Sequence, residues 1–114
     1  MLERLITTGR LGDLIQRANE FTEPTNGIYS LYVPKDRKWS LDENVECGLM
    51  LILKDDPEDF VPDEAKERGW VLASDLQIIQ TVIDVAHRFH PNPAPNYLVK
   101  ALEYFMENDT FLQQ

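Results

Sequence analysis

Residues 45–53, Val-Glu-Cys-Gly-Leu-Met-Leu-Ile-Leu, are the most strand-like stretch of the chain. The run is near-continuously apolar, the pattern of a strand covered on both faces rather than on one. It predicts a central strand around which the rest of the chain supplies a sheet and its covering layers. Its strictly apolar part, Leu49-Met-Leu-Ile-Leu53, is far below the roughly 20 residues that a membrane-crossing helix needs.

The segments on either side divide by period. Residues 2–6 and 11–18 have helical spacing, with Leu11, Leu14, Ile15 and Ala18 on one face. Glu23-Pro-Thr-Asn-Gly27 is turn chemistry, and Asn26-Gly27 suits a tight turn with positive φ. Ile28-Tyr-Ser-Leu-Tyr-Val33 reads as a strand ended by Pro34, followed by the charged loop Lys35-Asp-Arg-Lys38. Pro57 and Pro62 bracket Glu58-Asp59-Phe60-Val61 and predict an extended piece. Residues 63–68 suit one or two helical turns with Asp63 as N-cap and Gly69 as the stop, and residues 70–73 a short strand.

The last third is helical. Ser74 or Asp75 caps a helix to about Phe89, with Leu76, Ile79, Val82, Ile83 and Ala86 on its buried side. Pro91, Pro93 and Pro95 interrupt it. Asn96 then caps a second helix whose apolar face is Leu98, Ala101, Leu102 and Phe105, while Lys100, Glu103 and Glu107 face water. The order predicts a single α+β domain over residues 1–114, with a small, mostly antiparallel sheet packed with an N-terminal helix and two C-terminal helices.

Charge is where function first enters. Twenty acids stand against eleven Lys and Arg, a net −9. That balance argues against nucleic acid and against anionic membranes as partners, since both are held by cationic side chains. The acidity is also local in sequence. Residues 42–67 hold ten acids against Lys54 and Lys66, a net −8, and the other 88 residues come to −1. A charge concentrated in this way predicts a docking surface for Lys and Arg. The candidate partner-binding set is Asp55, Asp56, Glu58, Asp59, Asp63 and Glu64, with Phe60 and Trp70 as apolar anchors among them. Prolines 57 and 62 stiffen the segment and lower the entropy cost of holding a bound shape.

A catalytic set is not legible. His87 and His90 are spaced i, i+3, but zinc needs three or four ligands and no second His or Cys cluster completes the pair. Histidine near a helix C-terminus more commonly interacts with the last carbonyls. Cys47 sits within an apolar strand, where a thiol behaves as a small hydrophobe. Asp55-Asp-Pro-Glu-Asp59 lacks the alternation and the glycine of a calcium loop. Trp39 beside Lys35, Arg37 and Lys38 reads as a hairpin tip. The expectation is therefore a protein that is not an enzyme and uses no metal or cofactor. Its rivals are a small metal-dependent enzyme or regulator using His87 and His90, and an acidic adaptor whose acidic loop is only a solubility device. The first ten residues, Met1 to Arg10, have no apolar core of signal-peptide length and carry Glu3, and a lone cysteine forms no internal disulfide. Both point to the cytoplasm.

Three stretches carry a resemblance. Trp39-Ser-Leu41, Leu76-Gln-Ile-Ile-Gln80 and Ala101-Leu-Glu-Tyr-Phe-Met-Glu-Asn-Asp-Thr-Phe111 are similar to a family of small acidic bacterial proteins of unassigned activity, over roughly residues 28–112. The chain departs from that pattern at Val85, where an Asn is expected. In size and charge it also resembles immunity proteins of bacterial toxin systems, including contact-dependent growth inhibition. That resemblance implies a cytoplasmic inhibitor that binds a basic toxin domain, commonly a nuclease, and carries no catalytic residues across.

Overall fold

The structure is a computed structural model and describes residues 3–110. Strands β1 (Leu5–Arg10), β2 (Gly27–Pro34), β3 (Glu46–Leu53) and β4 (Trp70–Asp75) form one sheet in the order β1-β3-β2-β4. Every neighbouring pair is antiparallel. Helices α1 (Leu11–Gln16), α3 (Leu76–Phe89) and α4 (Pro95–Asn108) cover one face, and the short α2 (Asp63–Arg68) packs on the other. This is the small α+β architecture that the sequence predicts. No helix among the described residues is long and apolar enough to cross a membrane.

The apolar run makes the interior strand β3. Alternation sends Cys47 and Leu49 into the main core with Leu31, Val33 and the three larger helices. It sends Met50 to the opposite face, against Tyr32 and beneath Ala65 of α2. Gly48 lies under Trp70, whose ring would stand 2.9 Å from a Cβ added there.

The N-terminal segment differs from its helical expectation. Residue 2 lies outside the described residues, and Leu5 and Ile6 begin β1, which pairs with β3 from Leu5↔Met50 to Arg10↔Glu46. Ile6, Thr7 and Thr8 are β-branched and Gly9 is a poor helix former, so an open edge of β3 outweighs a weak helical period. The following helix is shorter than its spacing suggests. α1 stops at Gln16 and a 3₁₀ turn spans Ala18–Glu20, although Leu11, Leu14, Ile15 and Ala18 are all buried.

Gly27 is needed for a reason other than the expected one. Among the described residues positive φ occurs at Gly69 and Asp109, so Gly27 is not left-handed. A Cβ at Gly27 would instead stand 2.5 Å from the carbonyl oxygen of Ile52, its cross-strand neighbour. The obstacle is backbone, which cannot rotate away. Gly27→Ala is expected to destabilise by about 1–3 kcal/mol, read from chemical denaturation.

The helix ends refine the predicted caps. Asp75 accepts from Ile78 N at 2.9 Å and caps α3, whose five predicted core residues are all buried. α2 begins after Pro62 with Asp63 already inside its first turn, where no side-chain cap is made, and ends at left-handed Gly69. α4 begins at Pro95, with Ala94 rather than Asn96 at the cap; proline suits that position because it needs no N–H there. Val99 joins the predicted apolar face, and Glu103 turns inward rather than to water. Its carboxylate accepts from Leu41 N at 2.8 Å while Lys100 donates to Leu41 O at 3.0 Å. Two side chains of α4 thus clamp one backbone unit of the loop before β3.

Candidate functional site: the acidic end of the sheet

β3 divides the acidic window into two places. Asp42, Glu43 and Glu46 lie at its entry, and the acids from Asp55 onward follow its exit. Eight strand residues at roughly 3.3 Å each place Asp55 and its loop neighbours about 25 Å from Glu46, while α2 carries Glu64 and Glu67 back over the sheet. The net −8 is therefore not one surface. At the entry, Asp42 is engaged by Arg37 at 2.6 Å and accepts from Asn44 N at 2.8 Å. Hydrogen bonds from the Asn44 backbone and then from Arg37 hold its carboxyl below the ordinary carboxylate value.

The exit forms the site proper. After Leu53 the chain turns back, with Asp56 N donating to Leu53 O at 3.0 Å. Residues 58 and 59 then form a turn closed by Phe60 N on Pro57 O at 3.0 Å, in place of the expected extended piece. Proline removes its own N–H but keeps its carbonyl, so Pro57 can accept and close that turn.

One cation outside the predicted set organises this end. Arg4, just before β1, forks onto Asp56, with Nη1 at 2.5 Å from Oδ2 and Nη2 at 3.0 Å from Oδ1. Its Nη1 also donates to Leu51 O at 3.2 Å, and its guanidinium lies 4.5 Å over the Phe60 ring. The backbone N–H groups of Arg4 and Leu5 both donate to Glu64 Oε2 at 3.3 Å. Only strand pairing brings residue 4 to residue 56, and nothing local in the sequence marks that approach.

The eight candidate residues consequently separate into two kinds. Asp56 and Glu64 are structural carboxylates turned toward β1. Phe60 lies half-buried beneath Arg4, and Trp70 is half-buried with Arg68 5.3 Å over its ring. Asp55, Glu58, Asp59 and Asp63 are exposed, as is Glu67 beside them. Those carboxylates are the most exposed part of the predicted set.

The internal carboxylates set an acid sensitivity. The Arg4 hydrogen bonds, with help from Leu53 N, hold Asp56 below its ordinary value against the opposing effect of burial. Hydrogen bonds from its own backbone N–H and those of Arg4 and Leu5 do the same for Glu64. A depressed native value contributes stability fully above the unfolded value, near 4 for these groups, and loses it as pH falls through the lower native value. Acid unfolding followed by circular dichroism should therefore steepen below about pH 4, and Asp56→Asn should flatten that part of the curve.

The other candidates are placed plainly. His87 is exposed in the last turn of α3, and His90 packs edge-on against Tyr97 with ring centroids 4.5 Å apart. Among the described residues no group of three or more His, Cys, Asp or Glu side chains converges to hold a metal ion. Cys47 is fully buried, and burial pushes its thiol up to about 12. A thiol reagent at pH 8 should leave Cys47 unmodified in the native protein and label it on unfolding.

A sequence profile described as Domain of unknown function (DUF7716) matches residues 8–114. The chain belongs to the DUF7716 family. No curated protein and no solved structure matches it. Within the family match lie the whole sheet from Thr8 onward and the acidic end, while Arg4 precedes it.

Proposed function

We propose that the protein is a cytoplasmic inhibitor of the immunity type, which binds a cationic toxin domain through the exposed carboxylates at the exit of β3. The observation that carries this reading is the division of the acidic residues. Asp56 and Glu64 are tied to the protein's own backbone and to Arg4, which fixes the turn, and Asp55, Glu58, Asp59 and Asp63 project from it. A pre-set display of anionic groups meets a cationic surface at little ordering cost. A nuclease, which gathers cations to hold phosphate, is the class of toxin that this charge suits.

The charge division also assigns roles. Exposed carboxylates attract a basic partner over about 10 Å at moderate salt and raise the encounter rate. They add less to the lifetime of the complex, which depends on desolvated apolar contacts and any buried ion pair. The rival reading, a metal-dependent enzyme or regulator built on His87 and His90, has no third ligand to support it among the described residues. Calorimetry with zinc, calcium and manganese should show no tight binding.

The test is complex formation with the toxin domain that this reading places in the neighbouring reading frame. At low salt the two purified proteins should co-elute as one species, and the complex should weaken steeply as salt rises. Independent elution at low salt would sink the proposal.

A further inference from the structure

The sheet face opposite the main core is only partly covered. α2 shields Tyr32 and Met50, but the face continues to Ile28 and Leu72, which are 38% and 49% exposed. Ile28 and Tyr32 share a face by alternation along β2, and Leu72 lies opposite Tyr32 in the β2–β4 register. β4 is an edge strand, so its outer side has no partner in the sheet. Trp39, 56% exposed, stands beside it and meets Lys38 at 5.2 Å. Ile28, Leu72 and Trp39 line a single groove of about 390 Å³ that the end of α4 completes with Phe105 and Met106.

This groove runs on toward the acidic end. Ile28 also lines an apolar cleft of about 170 Å³ whose other walls are Ile52, Leu53 and Lys54, and Asp55 follows directly. An apolar track thus joins the β4 edge to the exposed carboxylates.

We propose that the β4 groove is the apolar half of the docking surface, occupied by an extended cationic segment of the partner laid along β4 as an added strand. The inference rests on the acidic-docking reading and supplies what that reading lacks. Phe60 and Trp70 are half-buried under Arg4 and Arg68, whereas Trp39, even with Lys38 over its ring, and Leu72 offer the exposed aromatic and aliphatic contact of a binding hot spot. Strand addition satisfies the open edge with backbone hydrogen bonds, and alternate side chains of the added strand fall toward Leu72.

Charge selects the occupant. Asp75 and Asp109 stand on the groove wall against Lys38, and past Lys54 of the adjoining cleft the exposed Asp55, Glu58 and Asp59 extend the negative sign. A second copy of this chain would bring another −9 to the contact, whereas a basic segment meets complementary charge.

The probe is a short blocked peptide of alternating arginine and valine, added at low salt to two single-tryptophan proteins. Trp70→Phe leaves only Trp39 to report, and Trp39→Phe leaves only Trp70. The proposal expects Trp39 emission to shift to shorter wavelength with saturation, and Leu72→Lys to weaken peptide binding by about tenfold or more. Leu72 is half in solvent, so that variant keeps its fold, which circular dichroism verifies. Replacing valine by serine in the peptide should weaken binding comparably. A labelled peptide that binds without moving Trp39, and is lost when Asp55, Glu58, Asp59 and Asp63 are neutralised, overturns the groove while leaving the acidic surface standing. No peptide binding overturns the groove as well, and the acidic reading then stands or falls on the complex with the toxin domain. A shift of Trp39 with protein concentration alone assigns the groove to a second copy and overturns the cationic occupant.

Discussion

Replacing Asp55, Glu58, Asp59 and Asp63 together by Asn and Gln is expected to slow association with a cationic toxin domain by about tenfold to a hundredfold at low ionic strength. All four are exposed and none is engaged in holding the turn, so the variant should unfold at nearly the wild-type denaturant concentration. Stopped-flow mixing over a salt series checks the rate. The two proteins should converge as salt rises, because screening removes the same interaction that the substitutions remove. Dissociation should change much less. Asp56→Asn gives the contrasting result: its carboxylate is occupied by Arg4 and Leu53 N, so acid stability moves and the association rate does not. An unchanged rate for the fourfold variant would place the interface elsewhere on the molecule.

Leu102→Ala should lower the unfolding free energy by about 2–5 kcal/mol. Leu102 has no exposure and lies on α4 within the core shared with α1 and α3. The cost of such a truncation depends on how far the surroundings can collapse into the space left. Here collapse is opposed, because Lys100 and Glu103, two residues before and one after, hold the Leu41 backbone and pin α4 to the loop before β3. The upper half of that range is therefore expected. Urea denaturation gives the change directly, and Leu102→Met, which preserves volume, should cost less than about 1.5 kcal/mol. A loss below 1 kcal/mol for the alanine variant would mean that the clamp on α4 is weaker than its distances indicate.

The amphipathic parts of the fold were legible because their period is strong. The five core positions of α3 and its Asp75 cap follow from spacing and side-chain chemistry, and the apolar run at β3 predicts an interior strand. β1 was not legible as a strand. Six residues of alternating, half-exposed pattern carry little periodicity, and an edge strand gains its stability from a partner distant in sequence. Helical spacing assigns Glu103 to solvent for a similar reason. Its helix position faces outward in isolation, and only the loop carrying Leu41 converts it into a partly buried acceptor.

The candidate site was half legible. Counting charge along the chain located the acids that follow β3, but the same count joined them to Asp42, Glu43 and Glu46 at the opposite end of the strand. A linear window treats an extended strand as if it had no length. Sequence neighbours also suggest Phe60 and Trp70 as anchors, but folding brings Arg4 over Phe60, and Arg68, two residues before Trp70, lies over its ring. The aromatic that stays exposed, Trp39, read as a hairpin tip because the edge of β4 beside it is a tertiary feature.

The central claim is that the acidic end neutralises a cationic nuclease, and stoichiometric inhibition tests it most directly. Nuclease activity of the toxin domain that the proposal places in the neighbouring reading frame should fall in proportion to added protein and vanish at one equivalent. The fourfold neutral variant should require a longer pre-incubation to reach the same end point. Full nuclease activity in the presence of excess folded protein at low salt would contradict the account.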